Sequence, residues 1–151
     1  MAWNRLHDAF CPSGKACLWE KREVLSFEAI GELPYRVAYD KIGGDEVILF
    51  HGTFVENLKG ILRDGLDPSR CVGPSFGVGV YMSTCFRLSA SFGGTQGVVL
   101  VCKVKLGKCK TFTSYVKDYI REDQHSNRCG DEYVIYERAR IWPVAIMRRA
   151  V

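Results

Sequence analysis

The chain has 151 residues, of which 47% are hydrophobic and 25% are charged. These fractions are close to the averages of globular proteins, and they exclude a disordered, collagen-like or coiled-coil chain. A chain of this length can bury a core of its own but has little room for a second one. We therefore expect a single domain over residues 1–151, in which residues 1–45 are poorly assigned.

The net charge is +4, from 21 Lys and Arg against 17 Asp and Glu. Apart from Arg148 and Arg149, the basic residues are scattered along the chain. This charge is compatible with a phosphate-bearing ligand or with nucleic acid, but the sequence lacks the dense basic stripe that would predict either.

Seven cysteines are many for this length, but their number is odd and no two form a Cys-x-x-Cys pair. Residues 1–10 contain no apolar run typical of a signal peptide, and no stretch reaches the roughly 20 apolar residues of a membrane span. We therefore expect an intracellular protein, in the cytoplasm or the nucleus, with reduced thiols. His7, Cys11 and Cys17 lack a fourth ligand at zinc spacing, so no metal site is predicted.

The first part of the chain, up to about Asp40, mixes polar and aromatic residues irregularly. A short helix near its start and a strand near 36–41 are expected. A Gly-Gly-Asp turn at 43–45 precedes the apolar run Glu46–Phe50, which is typical of a strand buried on both faces. This strand is expected to end at residues 51–53.

The next segment predicts a helix, a loop and a glycine-rich strand. Val55–Asp64 has apolar residues at helical spacing and a glycine just beyond it, so a short amphipathic helix is expected. Leu66–Ser75 contains prolines and glycines and should be a loop. Phe76–Ser83 runs from glycines into a short strand, and Thr84–Phe92 should be helical.

The last third of the chain carries the clearest strand pattern. Gly97–Leu106 is apolar at first and then alternates with lysines, which predicts a strand. Thr111–Gly130 is a long polar connection dotted with aromatic residues. Glu132–Tyr136 and Arg140–Met147 are predicted strands, and Pro143 favours an edge position or a bulge in the second.

Several short strands with only two or three helices predict an α+β domain around a mainly antiparallel sheet. The pair Gly77 and Gly79 does not complete a dinucleotide-binding fingerprint. Met82 stands where the third glycine belongs, and the chain enters a strand there instead of a helix. A doubly wound nucleotide fold is therefore not expected.

Three polar residues lie where a predicted strand meets a loop, a place where function is commonly mounted. His51 precedes Gly52, whose missing side chain lets a ligand approach the backbone. Tyr81 follows a glycine pair that could leave its ring face open, and Glu132 opens the last strand region. Taken singly, each also fits a structural role: a hydrogen-bonded histidine, a core tyrosine and a solvated carboxylate.

In combination and in order, these residues resemble the poly(ADP-ribose) polymerase branch of the diphtheria-toxin-like ADP-ribosyltransferases. The resemblance covers about Val47–Met147. Four motifs carry it: Leu49-Phe50-His51-Gly52-Thr53, Gly77-Val78-Gly79-Val80-Tyr81, Ser89 in its predicted helix, and Glu132-Tyr133-Val134-Ile135-Tyr136. The resemblance implies the ADP-ribosyltransferase fold, an α+β domain with a split, mainly antiparallel sheet.

The resemblance also implies a site for NAD+ as co-substrate. His51 would hydrogen-bond the adenosine ribose, and Thr53 follows in the same NAD+-binding motif. The backbone of Gly52 would hold the nicotinamide carboxamide, and the hydroxyl of Ser89 would bind the same group. No metal is implied.

The implied catalytic triad is His51, Tyr81 and Glu132. Tyr81 would stack on the nicotinamide ring, with Phe92 where the family usually has a second tyrosine. Glu132 would be the catalytic carboxylate, because breaking the bond from nicotinamide to ribose develops positive charge on the sugar. Aromatic faces suit the planar, cationic pyridinium ring.

Two departures from the family pattern bear on the product. Phe92 keeps a stacking face and lacks the tyrosine hydroxyl, and Leu88 stands where polymerising members tend to carry a lysine. The chain also has no room for the regulatory helical domain of the DNA-dependent members, so activation by DNA breaks is not expected.

The expected activity is pentosyl transfer: ADP-ribose moves from NAD+ to protein side chains as mono- or short oligo-units, and nicotinamide is released. The acceptor protein could be the chain itself, and no membrane partner is expected. One alternative is transfer to nucleic acid ends, suggested by the lysines at 103, 105, 108 and 110 but not favoured. Another is a non-catalytic binding module with the same fold.

Overall fold

The structure is a computed structural model that describes residues 24–71, 73, 75–85, 88–89 and 97–149. Its strands are β1 (Val24–Ala29), β2 (Glu46–Phe54), β3 (Val80–Ser83), β4 (Gly97–Lys105), β5 (Cys109–Phe112), β6 (Ser126–Cys129), β7 (Glu132–Ile135) and β8 (Ile141–Arg149). The α-helices are α1 (Arg36–Asp40) and α2 (Leu58–Asp64). Single 3-10 turns span Val55–Asn57, Pro68–Arg70 and Arg138–Arg140.

The strands form one sheet of eight, in the order β1-β8-β4-β2-β3-β7-β6-β5. Every neighbouring pair is antiparallel except β5 with β6, which are parallel. The prediction of an α+β domain around a mainly antiparallel sheet is therefore confirmed.

The centre of the sheet is buried on both faces. β2 and β4 pair from Glu46 with Lys105 to Phe54 with Gly97. Since successive side chains of a strand point to opposite faces, Leu49 joins the core cluster on one face and Phe50 joins the cluster on the other. The predicted doubly buried strand is thus confirmed.

β2 is longer than the apolar pattern predicts, because β4 offers it hydrogen-bonding partners as far as Gly97. His51, Gly52 and Thr53 therefore lie inside the strand and not at its end. The expectation that the strand ends at residues 51–53 is wrong.

The sheet divides between β2 and β3. In the described part of the chain these two strands pair at a single position, Phe50 with Ser83. β3 then continues into the second half of the sheet through four pairs with β7, from Val80 with Ile135 to Ser83 with Glu132. This narrow junction is where the candidate site lies.

The strand expected near 36–41 is a short helix, α1. Arg36 forms ion pairs with Glu32, which precedes the helix, at 2.7 Å and with Asp40, one helical turn further on, at 3.3 Å. β1 falls in the poorly assigned part of the chain and pairs with β8 at the sheet edge. The short helix expected near the chain start lies outside the described residues.

The expected connection Thr111–Gly130 contains the second half of β5 and all of β6. The hydrophobic pattern does not predict these strands, because they are polar. The sequence of β6 is Ser-Asn-Arg-Cys. Ser126 and Asn127 are nevertheless fully buried, and Ser126 donates to the carbonyl of Leu106 at 2.8 Å. Hydrogen bonding, not apolar burial, holds this strand in place.

Pro143 lies in an interior strand, because β8 is flanked by β1 and β4. The pairing of β4 with β8 shifts register between Val101 and Cys102, which pair with Ala145 and Pro143. The predicted bulge is confirmed and the edge position is wrong. A bulge accommodates a residue without an N–H.

The remaining elements follow their predictions where they are described, except that residues 84 and 85 are not helical. α2 with its preceding 3-10 turn covers Val55–Asp64 and ends at Gly65, which has φ +85°. Of the helix expected over Thr84–Phe92, residues 88 and 89 are helical, and residues 86, 87 and 90–92 lie outside the described part. None of the helices in the described ranges is long and apolar enough to span a membrane.

Candidate functional site

His51 links the two halves of the sheet. Its Nδ1 lies 2.8 Å from the main-chain carbonyl oxygen of Tyr81. Because a carbonyl only accepts, Nδ1 carries the proton and Nε2 is the acceptor nitrogen of the neutral ring. Burial lowers the pKa of His51 below its ordinary value of 6.5, an effect that the bond to the Tyr81 carbonyl opposes, so the ring is neutral near pH 7.

A cleft of about 470 Å³ runs along α2 and has His51 and Thr53 in its wall. Thr53 is buried, and its hydroxyl accepts a 3.1 Å hydrogen bond from Asn57 Nδ2 on the turn before α2. This bond ties the end of β2 to the turn that leads into α2. The volume is in the range of pockets that hold small ligands.

A charged pair closes the other side of the same cleft. Arg138 Nη2 lies 3.0 Å from Asp67 Oδ2, and Arg138 Nη1 donates to the Asp64 carbonyl at 3.2 Å. Hydrogen bonds from Ser69 are the main reason why the pKa of Asp67 is lowered. Asp67 and Arg138 are functional candidates that the sequence does not reveal, since they meet only through tertiary structure.

Tyr81 on β3 is packed against the loop that precedes it. Its hydroxyl donates to the main-chain carbonyl of Gly77 at 2.7 Å and also contacts that of Ser75. A Cβ built on Gly73 would lie 2.1 Å from ring atom Cζ of Tyr81, so only glycine permits this approach. One ring face, expected to be open, is thus covered by Gly73.

Glu132 shares a face of the sheet with Tyr81. It opens β7 opposite Ser83, and Tyr81 pairs with Val134 in the same ladder, so both side chains point to one side. Burial, and then the charge of Glu132, raise the pKa of Tyr81 to about 12. The Glu132 carboxylate is half-buried and accepts a 2.5 Å hydrogen bond from the hydroxyl of Tyr115.

Ser89 and Gly52 lie beside the junction. Ser89 is buried and its hydroxyl donates to the carbonyl of Phe50 at 3.0 Å, one residue before His51. Gly52 is buried and pairs with Val99 of β4. Phe92, the expected second aromatic, lies outside the described residues.

The structure therefore brings the sequence-predicted residues together in two places. His51 and Thr53 line the cleft beside α2, on the sheet face that Leu49 also occupies. Tyr81 and Glu132 lie on β3 and β7 across the junction, and their side chains share the opposite face with Phe50. The bond from His51 to Tyr81 connects the two places. Within the described ranges, no group of His, Cys, Asp and Glu is suited to hold a metal ion, and His7, Cys11 and Cys17 fall outside them.

Comparison with known proteins gives a family match over most of the chain. The family model described as "Poly(ADP-ribose) polymerase catalytic domain" matches residues 18–131. The matched interval contains every expected NAD+-binding residue and ends one residue before Glu132.

Individual relatives are similar to shorter stretches. "Poly [ADP-ribose] polymerase tankyrase" of Caenorhabditis elegans is 32% identical over 90 residues, which are 54% of this chain and 4% of that protein. "Poly [ADP-ribose] polymerase 2" of Arabidopsis thaliana is 36% identical over 72 residues, and "Poly [ADP-ribose] polymerase 2-A" of Oryza sativa subsp. japonica is 35% identical over 74. The matched stretches are 42% and 43% of this chain and 11% of each plant protein. The match thus spans only a small part of each relative.

Proposed function

Because the chain belongs to the poly(ADP-ribose) polymerase catalytic domain family, we propose that it transfers ADP-ribose from NAD+ to protein side chains, as mono- or short oligo-units. Nicotinamide is the leaving group. The observation that carries the proposal is the 2.8 Å bond from His51 to the Tyr81 carbonyl, which joins the cleft to the face that bears Glu132.

His51 and Thr53 would receive the adenosine end of NAD+. With its proton on Nδ1, His51 presents Nε2 as an acceptor for a ribose hydroxyl. The cleft volume of about 470 Å³ suits a nucleoside, and the Arg138 and Asp67 pair defines its outer wall. Gly52 follows His51 in β2, and Ser89 donates to the carbonyl of Phe50 just before it, so both are proposed to bind the nicotinamide carboxamide.

Tyr81 would stack on the nicotinamide ring with the face that Gly73 does not cover. The bond from its hydroxyl to the Gly77 carbonyl, with the contact to the Ser75 carbonyl, holds that ring at a fixed angle. Phe92 is the proposed second stacking residue. A ring fixed by the protein loses little entropy when the pyridinium binds, and stacking with a cation contributes about 0.5–2 kcal/mol.

Glu132 would act on the nicotinamide ribose. As the bond from C1′ to the nicotinamide nitrogen breaks, its electron pair leaves with nicotinamide and positive charge develops on the sugar. A carboxylate on the face of Tyr81 stabilises that charge. The acceptor oxygen then bonds to C1′, and its proton passes to Glu132 and on to solvent.

A protein acceptor is better supported than nucleic acid. Each of the four lysines that suggest a nucleic acid acceptor has a partner within the chain: Lys103 with Glu46, Lys105 with the carbonyls of Tyr39 and Ile42, Lys108 with Asp123, and Lys110 with Glu122. Paired lysines attract phosphates less than an open stripe does.

The test is incubation of the pure protein with NAD+ labelled in the adenosine. We expect free nicotinamide, and label on the protein or on an added protein mixture. Label appearing only on RNA or DNA ends at low salt would favour a nucleic acid acceptor. Binding of NAD+ by calorimetry without any nicotinamide release would leave a binding module, and an absence of both would contradict the proposal.

A further inference from the structure

Tyr115 lies at the proposed catalytic carboxylate, although no motif includes it. It belongs to the connection between β5 and β6, and its hydroxyl donates to Glu132 Oε2 at 2.5 Å. Its side chain is 55% exposed, so a bulky group could be attached to the oxygen without being buried.

The connection is anchored on both sides of Tyr115. Phe112 and Tyr119 pack on the buried Phe76 with ring centroids 4.8 and 5.4 Å away, and they contact each other edge to face at 5.6 Å. The Tyr115 ring itself lies 5.9 Å from Phe76. Aromatic packing thus sets where the Tyr115 hydroxyl is presented.

A polar network secures the end of the same connection. Gln124 is buried, and its amide contacts the Tyr119 hydroxyl and donates to Asn127 Oδ1 at 2.9 Å. Asn127 in turn donates to the hydroxyl of Tyr136 at 2.9 Å. Because this network is buried, the placement of Tyr115 is a property of the fold.

The carboxylate of Glu132, which accepts the bond from Tyr115, lies on the same face of the sheet as the ring of Tyr81. Glu132 and Tyr81 share that face through the ladder of β3 and β7, and Tyr115 reaches it through its bond to Glu132. This is the arrangement that a reaction at the nicotinamide ribose needs: an acceptor hydroxyl in contact with a general base, next to a stacking platform.

We propose that Tyr115 is an acceptor site of the chain's own ADP-ribosyl transfer, modified in cis on its phenol oxygen. The proposal rests on the transferase activity proposed above. The phenol oxygen bonds to C1′ of the nicotinamide ribose while the bond from C1′ to nicotinamide breaks. NAD+ and the tyrosine thus yield O-ADP-ribosyl-tyrosine, nicotinamide and one proton, which Glu132 accepts.

The environment of Tyr115 explains why Glu132 is needed as a base. The hydrogen bond to Glu132, followed by burial, raises the pKa of Tyr115 to about 12, so the phenol is protonated at neutral pH. A protonated phenol is a weak nucleophile until a base removes its proton in the transition state. The carboxylate already bonded to the hydroxyl is placed to do so.

The experiment follows two products of the full chain with NAD+: nicotinamide in solution and the adduct on the peptide that contains Tyr115, by mass spectrometry. We expect an adduct on Tyr115 that resists hydroxylamine, as a phenol glycoside does and a carboxylate ester does not. Its rate constant should not change over a tenfold range of protein concentration, because the step is intramolecular. Tyr115→Phe should lower automodification at least about fivefold, and Ser114→Ala, which removes an exposed hydroxyl from the same connection, should retain the adduct.

Three results would overturn the proposal. Nicotinamide release with adducts only on other residues would leave the transferase intact and exclude Tyr115 as acceptor. Slower nicotinamide release in Tyr115→Phe, with Tyr115 unmodified in the natural chain, would make it a positioning residue for Glu132. An absence of both nicotinamide and adduct would contradict the transferase activity itself.

Discussion

The imidazole of His51 on β2 donates its Nδ1–H to the main-chain carbonyl of Tyr81 on β3, over 2.8 Å. The bond lies next to the pair formed by Phe50 and Ser83, where the two halves of the sheet meet. It fixes the tautomer of His51 and the position of the Tyr81 backbone together. Both halves of the proposed NAD+ site therefore depend on one contact.

The desolvated ring of His51 predicts a pH-dependent stability. Its pKa in the folded chain is below 6.5, so the unfolded chain binds the proton more readily and the free energy of unfolding falls as pH drops below about 6.5. The slope from this group is at most about 1.4 kcal/mol per pH unit and vanishes below the folded pKa.

Urea titrations between pH 5 and 8 check this prediction. His51→Gln should flatten the decline between pH 6.5 and 5 relative to the natural chain. An unchanged decline in His51→Gln would show that the folded chain does not lower the pKa of His51.

Gly73→Ala should disturb the proposed nicotinamide platform. The added methyl would lie 2.1 Å from the Tyr81 ring, so the loop or the ring must move. We expect a loss of about 1–3 kcal/mol in the free energy of unfolding, measured with urea, and weaker NAD+ binding by calorimetry. Gly43→Ala is the control, since no atom lies within 4 Å of its added methyl, and should change stability by less than about 0.5 kcal/mol.

Ser89→Ala should weaken the junction between the two halves. It removes the 3.0 Å hydrogen bond to the Phe50 carbonyl, a contact worth about 0.5–1.5 kcal/mol when both partners are neutral. Thermal and urea unfolding measure the change, with the exposed Ser114→Ala as control. Equal stability of the two variants would show that the Ser89 bond contributes nothing to folding.

Glu132→Gln should remove most turnover while NAD+ still binds. The amide keeps the shape of the carboxylate and its bond from Tyr115, but it cannot accept a proton or balance the positive charge on the sugar. We expect nicotinamide release to fall at least about 100-fold, with the NAD+ dissociation constant unchanged within about threefold. The neighbouring Asp131→Asn serves as control. If Glu132→Gln released nicotinamide as fast as Asp131→Asn does, the role of Glu132 would be contradicted.

The strands at the centre of the sheet could be predicted from the sequence, because a strand buried on both faces is a continuous apolar run. Strands such as β2 and β4 are apolar on both faces, and this pattern follows from burial alone. β6 was not predicted from this pattern, because its residues are polar. Asn127 is nevertheless buried, since it forms hydrogen bonds with polar side chains elsewhere in the fold. The local pattern also wrongly predicted a strand where the structure has α1, in which Arg36 forms ion pairs.

The α+β class and the motifs around His51, Tyr81 and Glu132 can be predicted from the sequence, because each motif consists of residues close together in the chain. Three contacts follow from the tertiary structure: Asp67 with Arg138, Gly73 with one ring face of Tyr81, and Tyr115 with Glu132. The strand order brings these partners together, along with the connections from α2 to β3 and from β5 to β6. Periodicity within a segment carries no information about such contacts.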